Sequence, residues 1–379
     1  MSVCLRLCLF FFPTAFFLSP GACRGAEVPV EEMRRLYDFT PVGPGNPVVV
    51  RVPQYGIEIP VSEFRACVAT QLGGTARAAL TPADKRRYLD ALLDDHLLLW
   101  NGYEQKADQT KDVAGMLKST QTMLLEEVLT QQELATQGKP PEQGKELLGK
   151  LRDQLFGRMD ITVSNESYAR LKDEVLRMER TAGVMETLGK PGAAAKEVSL
   201  SADVRDLSLA RCKFGVITVG EFLQTYNRMP ATQRPDLQSH EGVIAVFKQM
   251  LGTDLLIAEA RSRGLEKSPM VREKMQLNRN VLTRLYALDQ LTARAEAQMK
   301  SPEIETRLKE WYEANLKKLY TVKAGDGTVH AVSFTAEKER IGDDYFRDLQ
   351  ERIRADQIRV WRKGCSVEID QSVLAKAAL

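Results

Sequence analysis

Apolar and polar positions alternate from Val48 onward: Val48, Val50 and Val52 form one run, Ile57, Ile59 and Val61 the next, with Gly56 in the gap. Successive strand side chains point to opposite faces, so period two on either side of a glycine predicts a short hairpin leading into a helix. Further on the period changes. Leu89, Leu92, Leu93, His96, Leu97 and Trp100 recur at spacings of three and four, the apolar stripe of an amphipathic helix. Another helix is expected over about 112–134. Leu147, Leu148, Leu151 and Leu155 mark one more, followed by the short apolar run Ile161-Thr162-Val163 and a helix through Tyr168 and Leu171.

The same pattern then returns. Leu207 and Leu209, then Val216, Ile217 and Val219, repeat the alternation around Gly215, and Val61-Ser62-Glu63-Phe64 recurs as Val219-Gly220-Glu221-Phe222, 158 residues on. That offset lays the first stripe over Phe247, Met250, Leu251, Asp254, Leu255 and Ala258, and pairs Val113 with Val271 and Leu124 with Leu282. The closing pattern repeats too: Phe346, Leu349 and Ile353 precede Val367-Glu368-Ile369-Asp370 and Leu374, now at an offset of 206, so the second copy is longer inside by 48 residues. A duplicated module follows, of mainly α class with small β elements (α+β), each copy carrying a short hairpin. The expected division is an N-terminal linker at 27–47, copy 1 at 48–188, a linker at 189–198 around Gly189-Lys190-Pro191-Gly192, and copy 2 at 199–379.

Residues 1–26 stand apart from this pattern. Arg6 precedes an apolar run from Leu7 to Leu18, and Gly21, Ala22, Gly25 and Ala26 follow, which reads as a secretory signal peptide cleaved near Gly25 or Ala26. A helix of twelve residues reaches about 18 Å, short of a bilayer core of about 30 Å. Pro20-Gly21-Ala22-Cys23 loosely resembles a lipoprotein box without its usual Leu, so Cys23 is a candidate lipid attachment point. The expected location is periplasmic or secreted, or an outer-membrane lipoprotein in which that lipid is the only membrane contact.

The 53 basic and 51 acidic residues of the whole chain become 51 and 51 once Arg6 and Arg24 are set aside. A net charge of zero with no basic run argues against a nucleic-acid partner. Cys67, Cys212 and Cys365 remain, an odd number far apart, and read as small buried hydrophobes. Three histidines and scattered cysteines leave little for a metal, and Asp94-Asp95-His96 on a helix point in different directions. No phosphate loop or nucleophile elbow suggests a cofactor or covalent chemistry. The stripe carries a polar residue at one position in both copies, His96 and Asp254, marking either a buried hydrogen bond between layers or the partly exposed edge of the stripe.

The order of hairpin, Glu-Phe at a helix start and apolar helix with a central Leu-Leu, continued by Leu255 to Val271, resembles the SurA/PrsA-type periplasmic foldases. So do Glu303-Ile304-Glu305, Trp311-Tyr312-Glu313-Ala314-Asn315, Val329-His330-Ala331-Val332 and the closing Val367-Glu368-Ile369-Asp370. In that family a helical chaperone module carries inserted parvulin prolyl-isomerase domains. The 48 extra residues are too few for a parvulin, and its Gly-Gly-Asp-Leu-Gly turn and second histidine are absent. The resemblance therefore implies a truncated parvulin-like stub at about 301–340, with His330 either a remnant of the parvulin's first histidine or an ordinary strand residue near an exposed hairpin. It implies an ATP-independent chaperone for unfolded or newly exported polypeptides, outer-membrane proteins among them, bound in apolar helical grooves. The client-contact candidates are Leu93, Leu97, Trp100, Met250, Leu251 and Leu255. A degenerate peptidyl-prolyl isomerase and an envelope scaffold or assembly subunit are the alternatives.

Overall fold

A computed structural model describes residues 43–71, 80–182, 200–323 and 329–377. Residues 1–26 with Cys23, the linker at 189–198 and residues 324–328 of the expected stub lie outside the described residues. The fold is mainly α with small antiparallel sheets. In chain order come β1 (Val48–Val52), β2 (Ile57–Pro60), α1 (Val61–Gln71), α2 (Pro82–Glu104), α3 (Lys111–Gln137), α4 (Gly144–Gly157), β3 (Thr162–Val163) and α5 (Asn165–Ala182). They continue with α6 (Ala202–Arg205), β4 (Ser208–Cys212), β5 (Gly215–Thr218), α7 (Val219–Arg228), α8 (His240–Ser262) and α9 (Pro269–Met299). The chain ends with α10 (Ile304–Leu319), β6 (Thr321–Lys323), β7 (Val329–Ala331), α11 (Lys338–Lys363), β8 (Glu368–Ile369) and α12 (Gln371–Lys376).

These elements form two compact units, one of Met1–Thr120 with Glu273–Leu379 and one of Gln121–Arg272. The units do not follow the sequence copies at 48–188 and 199–379. In the first unit the sheet order is β2-β1-β8, and the last strand of the chain lies against the first, with Val50 opposite Ile369 and Arg51 opposite Glu368. In the second unit the order is β3-β4-β5, with Ala210 opposite Val163 and Arg211 opposite Thr162. Each hairpin is thus completed by the helix–strand–helix ending of the other copy. The first unit runs hairpin then ending, and the second runs ending then hairpin, a circular permutation of the same module. The physical reason the repeat could not reveal this is that both endings carry one apolar pattern, so either satisfies either hairpin.

The two hairpins match residue for residue. Val50 faces Ile59, Arg51 faces Glu58 and Val52 faces Ile57 in the first, with an irregularity between Val48 and Val50. Ala210 faces Ile217, Arg211 faces Val216 and Cys212 faces Gly215 in the second, with the same irregularity between Ser208 and Ala210. Only the turns differ: Pro53 to Gly56 in one, Lys213 and Phe214 in the other.

In the first unit Val49, Val52, Ile57 and Ile59 of the hairpin are buried with Phe64 and Val68 of α1, Leu89, Leu93 and Leu97 of α2, Ile358 and Trp361 of α11 and Leu374 of α12. Helix α2 starts with Pro82 behind Thr81, which exchanges hydrogen bonds with Asp84, the reciprocal cap that satisfies free N–H groups of a first turn. Lys85 Nζ donates to the carbonyls of Leu374, Ala375 and Ala377 at 3.3, 3.0 and 2.9 Å, so a cation closes the C-terminal end of α12. Toward the other end of α2, Gly102 meets α9: a Cβ there would lie 2.4 Å from the Thr283 carbonyl oxygen. Beside that contact Tyr103 Oη donates to Asn280 Oδ1 at 2.7 Å, and burial pushes the Tyr103 phenol up to about 12. The second unit buries Leu209, Ile217, Phe222, Val246, Phe247, Leu251 and Leu255 with Phe156 and Leu171 from the ending.

The segment expected to be a parvulin stub is a helix and a hairpin with a core of its own. Leu308, Tyr320, Ile341, Tyr345 and Leu349 are buried together with Ala295. Trp311 makes edge contacts with Tyr320 and Tyr345, both at 6.0 Å between ring centres, and Tyr312 packs on Tyr320 and Phe334 at 5.4 and 5.6 Å. Tyr320 Oη donates to Asp344 Oδ2 at 2.8 Å, and Tyr312 Oη donates to the Val332 carbonyl.

Candidate functional site

The apolar stripes expected to contact clients are core. Leu97 is 0% and Leu93 2% exposed in the first unit, and Leu251 is 4% and Leu255 6% exposed in the second. Met250 is half-buried against the second core. Trp100 is half-buried as well: Tyr55, from the β1–β2 turn, stacks on it at 3.9 Å and 22°, Trp361 meets its edge at 6.3 Å, and Tyr55 Oη donates to the Trp361 carbonyl at 3.2 Å. The grooves read from the helical stripes are filled by the hairpin and the ending of the same unit. A side chain without solvent exposure cannot touch a client in this conformation, so Leu93, Leu97, Leu251 and Leu255 are packing positions, while Trp100 and Met250 keep part of their surface. His330 is exposed on β7, opposite Val322 in a two-stranded sheet.

The polar position of the stripe behaves differently in the two units. His96 Nε2 lies 2.7 Å from Glu63 Oε1, and both side chains are buried. Local sequence explains why Glu63 is available. Pro60 precedes α1 and has neither a hydroxyl nor an N–H, so no reciprocal cap can form; Asn46 Oδ1 accepts from the Ser62 N–H at 2.9 Å instead. In the second unit Thr218 stands at the matching place, its Oγ1 accepting from the Glu221 N–H at 3.2 Å while Glu221 Oε2 accepts from the Thr218 N–H at 2.9 Å. Glu221 is held at the surface and Asp254 is exposed. Near the buried pair, burial pushes the Cys67 thiol up, and the carboxylates of Asp95 and Glu63 add to it.

Helices α2 and α11 carry an ionic clasp beside an open concavity of about 470 Å³ lined by Asp90, Asp94, Ala355, Ile358, Arg359, Arg362 and Lys363. Arg362 donates from Nε to Asp94 Oδ1 at 2.9 Å and from Nη1 to Asp90 Oδ1 at 3.0 Å. Burial pushes the Asp94 carboxyl up, with the Arg362 hydrogen bond opposing it. Asp90, Asp94 and Arg362 bind one another, which makes this part of the hollow a clasp between helices.

The outer faces of the sheets differ most. In the first unit Arg51 Nε lies 3.3 Å from Glu58 Oε1 across the hairpin, with Glu368 on the other flank of Arg51. In the second unit the equivalent Arg211 stands between Val216 and Thr162, and among the described residues it has no carboxylate partner. Val216 is 52% and Phe214 50% exposed, and Arg211 and Lys213 are exposed beside them. Among the described residues β5 pairs with β4 alone, so its outer edge keeps unpaired backbone N–H and C=O groups. Each turn carries one aromatic residue, Tyr55 in the first and Phe214 in the second, yet Tyr55 has Trp100 to stack on, while the corresponding stripe residue of the second unit is Ala258. Among the described residues an exposed apolar pair, Phe214 and Val216, thus stands between two exposed cations on the edge strand of the second unit. The signal was present in the sequence as the contrast between Arg51 with Glu58 and Arg211 with Val216. It becomes visible once the hairpins are aligned by strand register and the turns are allowed to differ in length.

Among the described residues no group of His, Cys, Asp and Glu is arranged to hold a metal ion, and no helix is long and apolar enough to cross a membrane. No family model, curated protein or solved structure matches the chain.

Proposed function

We propose that the chain is an exported, periplasmic, ATP-independent chaperone that binds unfolded or newly exported polypeptides, outer-membrane proteins among them. The observation that carries binding over catalysis is the packing of 301–340. There α10, the β6–β7 pair and the start of α11 close around Trp311, Tyr320 and Tyr345, and His330 is exposed on the hairpin. Prolyl isomerisation lowers a barrier of about 18–20 kcal/mol by holding and desolvating an X-Pro bond in a shaped apolar cleft. A histidine on the open face of a two-stranded sheet supplies neither the hold nor the dryness. The leader-like pattern of residues 1–26 supports export, with Cys23 as the candidate for a lipid anchor. The client surface in this reading is the exposed apolar edge of the second unit, not the helical stripes.

Suppression of aggregation of a chemically denatured model protein at stoichiometric ratio is the expected result, and no suppression at tenfold excess overturns the reading. A protease-coupled proline assay serves as the second arm: turnover abolished by His330→Ala would establish the isomerase instead. The specific charge pattern around Arg211 favours one further reading, an envelope assembly subunit with a single partner. Co-purification of one protein at fixed stoichiometry would establish that.

A further inference from the structure

We infer that the outer edge of β5 is a strand-addition site, taking an extended segment of a bound polypeptide that carries an apolar and an acidic residue two positions apart. The inference rests on the reading of the chain as a polypeptide binder and names where and what it binds. The first unit shows what the second one lacks. On its outer face Arg51 is neutralised by Glu58 from the neighbouring strand and flanked by Glu368, and its turn aromatic, Tyr55, is stacked on Trp100. In the second unit valine and threonine occupy the two acidic positions, and the turn aromatic Phe214 is half exposed. Among the described residues the same sheet therefore has an arginine without its carboxylate, a phenylalanine without its stacking surface and an edge without its next strand.

One occupant satisfies all three. A segment laid along β5 takes up the outward N–H and C=O groups of Gly215–Thr218. Its residue beside Val216 sits on the outer face and covers Val216 if apolar. A carboxylate two positions along lies on that same face. Two strand spacings, about 10 Å, separate it from β4, within the combined reach of a glutamate and the Arg211 guanidinium leaning over Val216. Lys213, exposed at the turn, extends the cationic border. A second copy of the chain fits less well, because β5 laid against itself brings two sets of Arg211 and Lys213 to one face without supplying a carboxylate.

The test uses the full chain and a fluorescein-labelled peptide, Thr-Val-Thr-Glu-Thr-Val-Thr, read by fluorescence anisotropy. Versions with Lys in place of Glu, and with alternate backbone nitrogens methylated, serve as comparisons. Binding of the Glu peptide is expected to be at least tenfold tighter than of the Lys peptide and to be lost on methylation. Arg211→Glu should reverse the charge preference, and Val216→Thr should weaken binding severalfold, with far-UV circular dichroism confirming that both variants are folded. Equal binding of the Glu and Lys peptides, or undiminished binding of the methylated one, overturns the inference. So does dimerisation of the unliganded chain that Arg211→Glu abolishes, which would assign the edge to a second copy. Wild-type chain that suppresses aggregation yet ignores all three peptides also overturns it, while leaving the chaperone reading standing.

Discussion

The first long helix after each hairpin carries a glutamate at its third residue, and the two glutamates end in opposite places. Glu221 stays at the surface as half of a reciprocal cap with Thr218, whereas Glu63 turns inward to His96. The difference originates one turn earlier, where Pro60 cannot take part in a cap and Asn46 does that work from outside the helix. A change from Thr to Pro at a helix boundary thus converts a surface acid into a buried one, and the buried acid then needs a partner from the next helix. His96 in the first unit and Asp254 in the second follow from that, buried in one case and exposed in the other. In the polar position of the stripe, two units with one register differ in step with a capping position.

The largest test of this comparison is His96→Ala. Removing one member leaves the other's polar group buried and unmatched, which costs about 1–3 kcal/mol for an unsatisfied buried hydrogen-bonding group. Asp254→Ala should stay within about 0.5 kcal/mol, as surface substitutions do. Trp100, Trp311 and Trp361 all lie in the first unit, so urea unfolding followed by tryptophan emission reports on the His96 variant directly. Replacing Glu63 and His96 together by Leu should recover most of the loss, because neither variant residue then leaves a buried polar group unmatched. If the double change costs as much as the sum of the two singles, the pair has no energetic coupling and the comparison fails.

Next in size is Gly102→Ala. The equivalent position of the second unit is Ala260, fully buried and accommodated. At Gly102 a methyl would meet the Thr283 carbonyl at 2.4 Å, so α2 and α9 must separate, at about 1–3 kcal/mol for overpacking. The converse, Ala260→Gly, loses only helix propensity and a methyl contact, about 1 kcal/mol. A stabilising Gly102→Ala would show that the helices approach each other less closely than this contact requires.

How far all this could be read from the sequence depends on which kind of pattern carried it. The stripe from Leu89 to Trp100 and its partner from Phe247 to Ala258 are set by a helical period that burial enforces, and both were legible with their offset. Which ending completes which hairpin was not, since Val367-Glu368-Ile369 and Ile161-Thr162-Val163 have the same alternation and only pairing in space separates them. The stripe residues Leu93, Leu97, Leu251 and Leu255 were read as a binding surface for the same reason that they are core: an apolar face says that it will be covered, not by what. Phe214 and Val216 gave a weak signal, because a turn residue and one exposed valine carry no period. The contrast between Val216 and Glu58 had to be drawn in strand register.

A smaller test compares the two caps. Thr218→Ala in the second unit and Asn46→Ala in the first remove a side-chain acceptor from the start of equivalent helices, and each should cost about 1 kcal/mol. Thr218→Ser should be close to neutral, because the hydroxyl is kept. A negligible effect of Asn46→Ala alongside a full effect of Thr218→Ala would mean that the first helix does not depend on its borrowed cap, and the chain of causes leading from Pro60 to His96 would lose its first link.

The smallest expected change in stability is at Glu58, and it is the one that bears on function. The Arg51–Glu58 pair is exposed, with side chains at 53% and 30%, so losing it costs about 0–1 kcal/mol. Glu58→Val combined with Glu368→Thr nevertheless gives the first sheet the outer face of the second: an arginine between valine and threonine, beside the edge strand β2, which among the described residues pairs only with β1. If charge pattern and open edge are what make β5 a binding strand, the variant should take up the acidic Thr-Val-Thr-Glu-Thr-Val-Thr peptide at a second site, doubling the stoichiometry from one to two at little cost in stability. Stoichiometry that stays at one would locate the determinant in Phe214 and its shorter turn. A following Tyr55→Ala change, which removes the aromatic stacked over Trp100, would then leave the first sheet equally unable to bind.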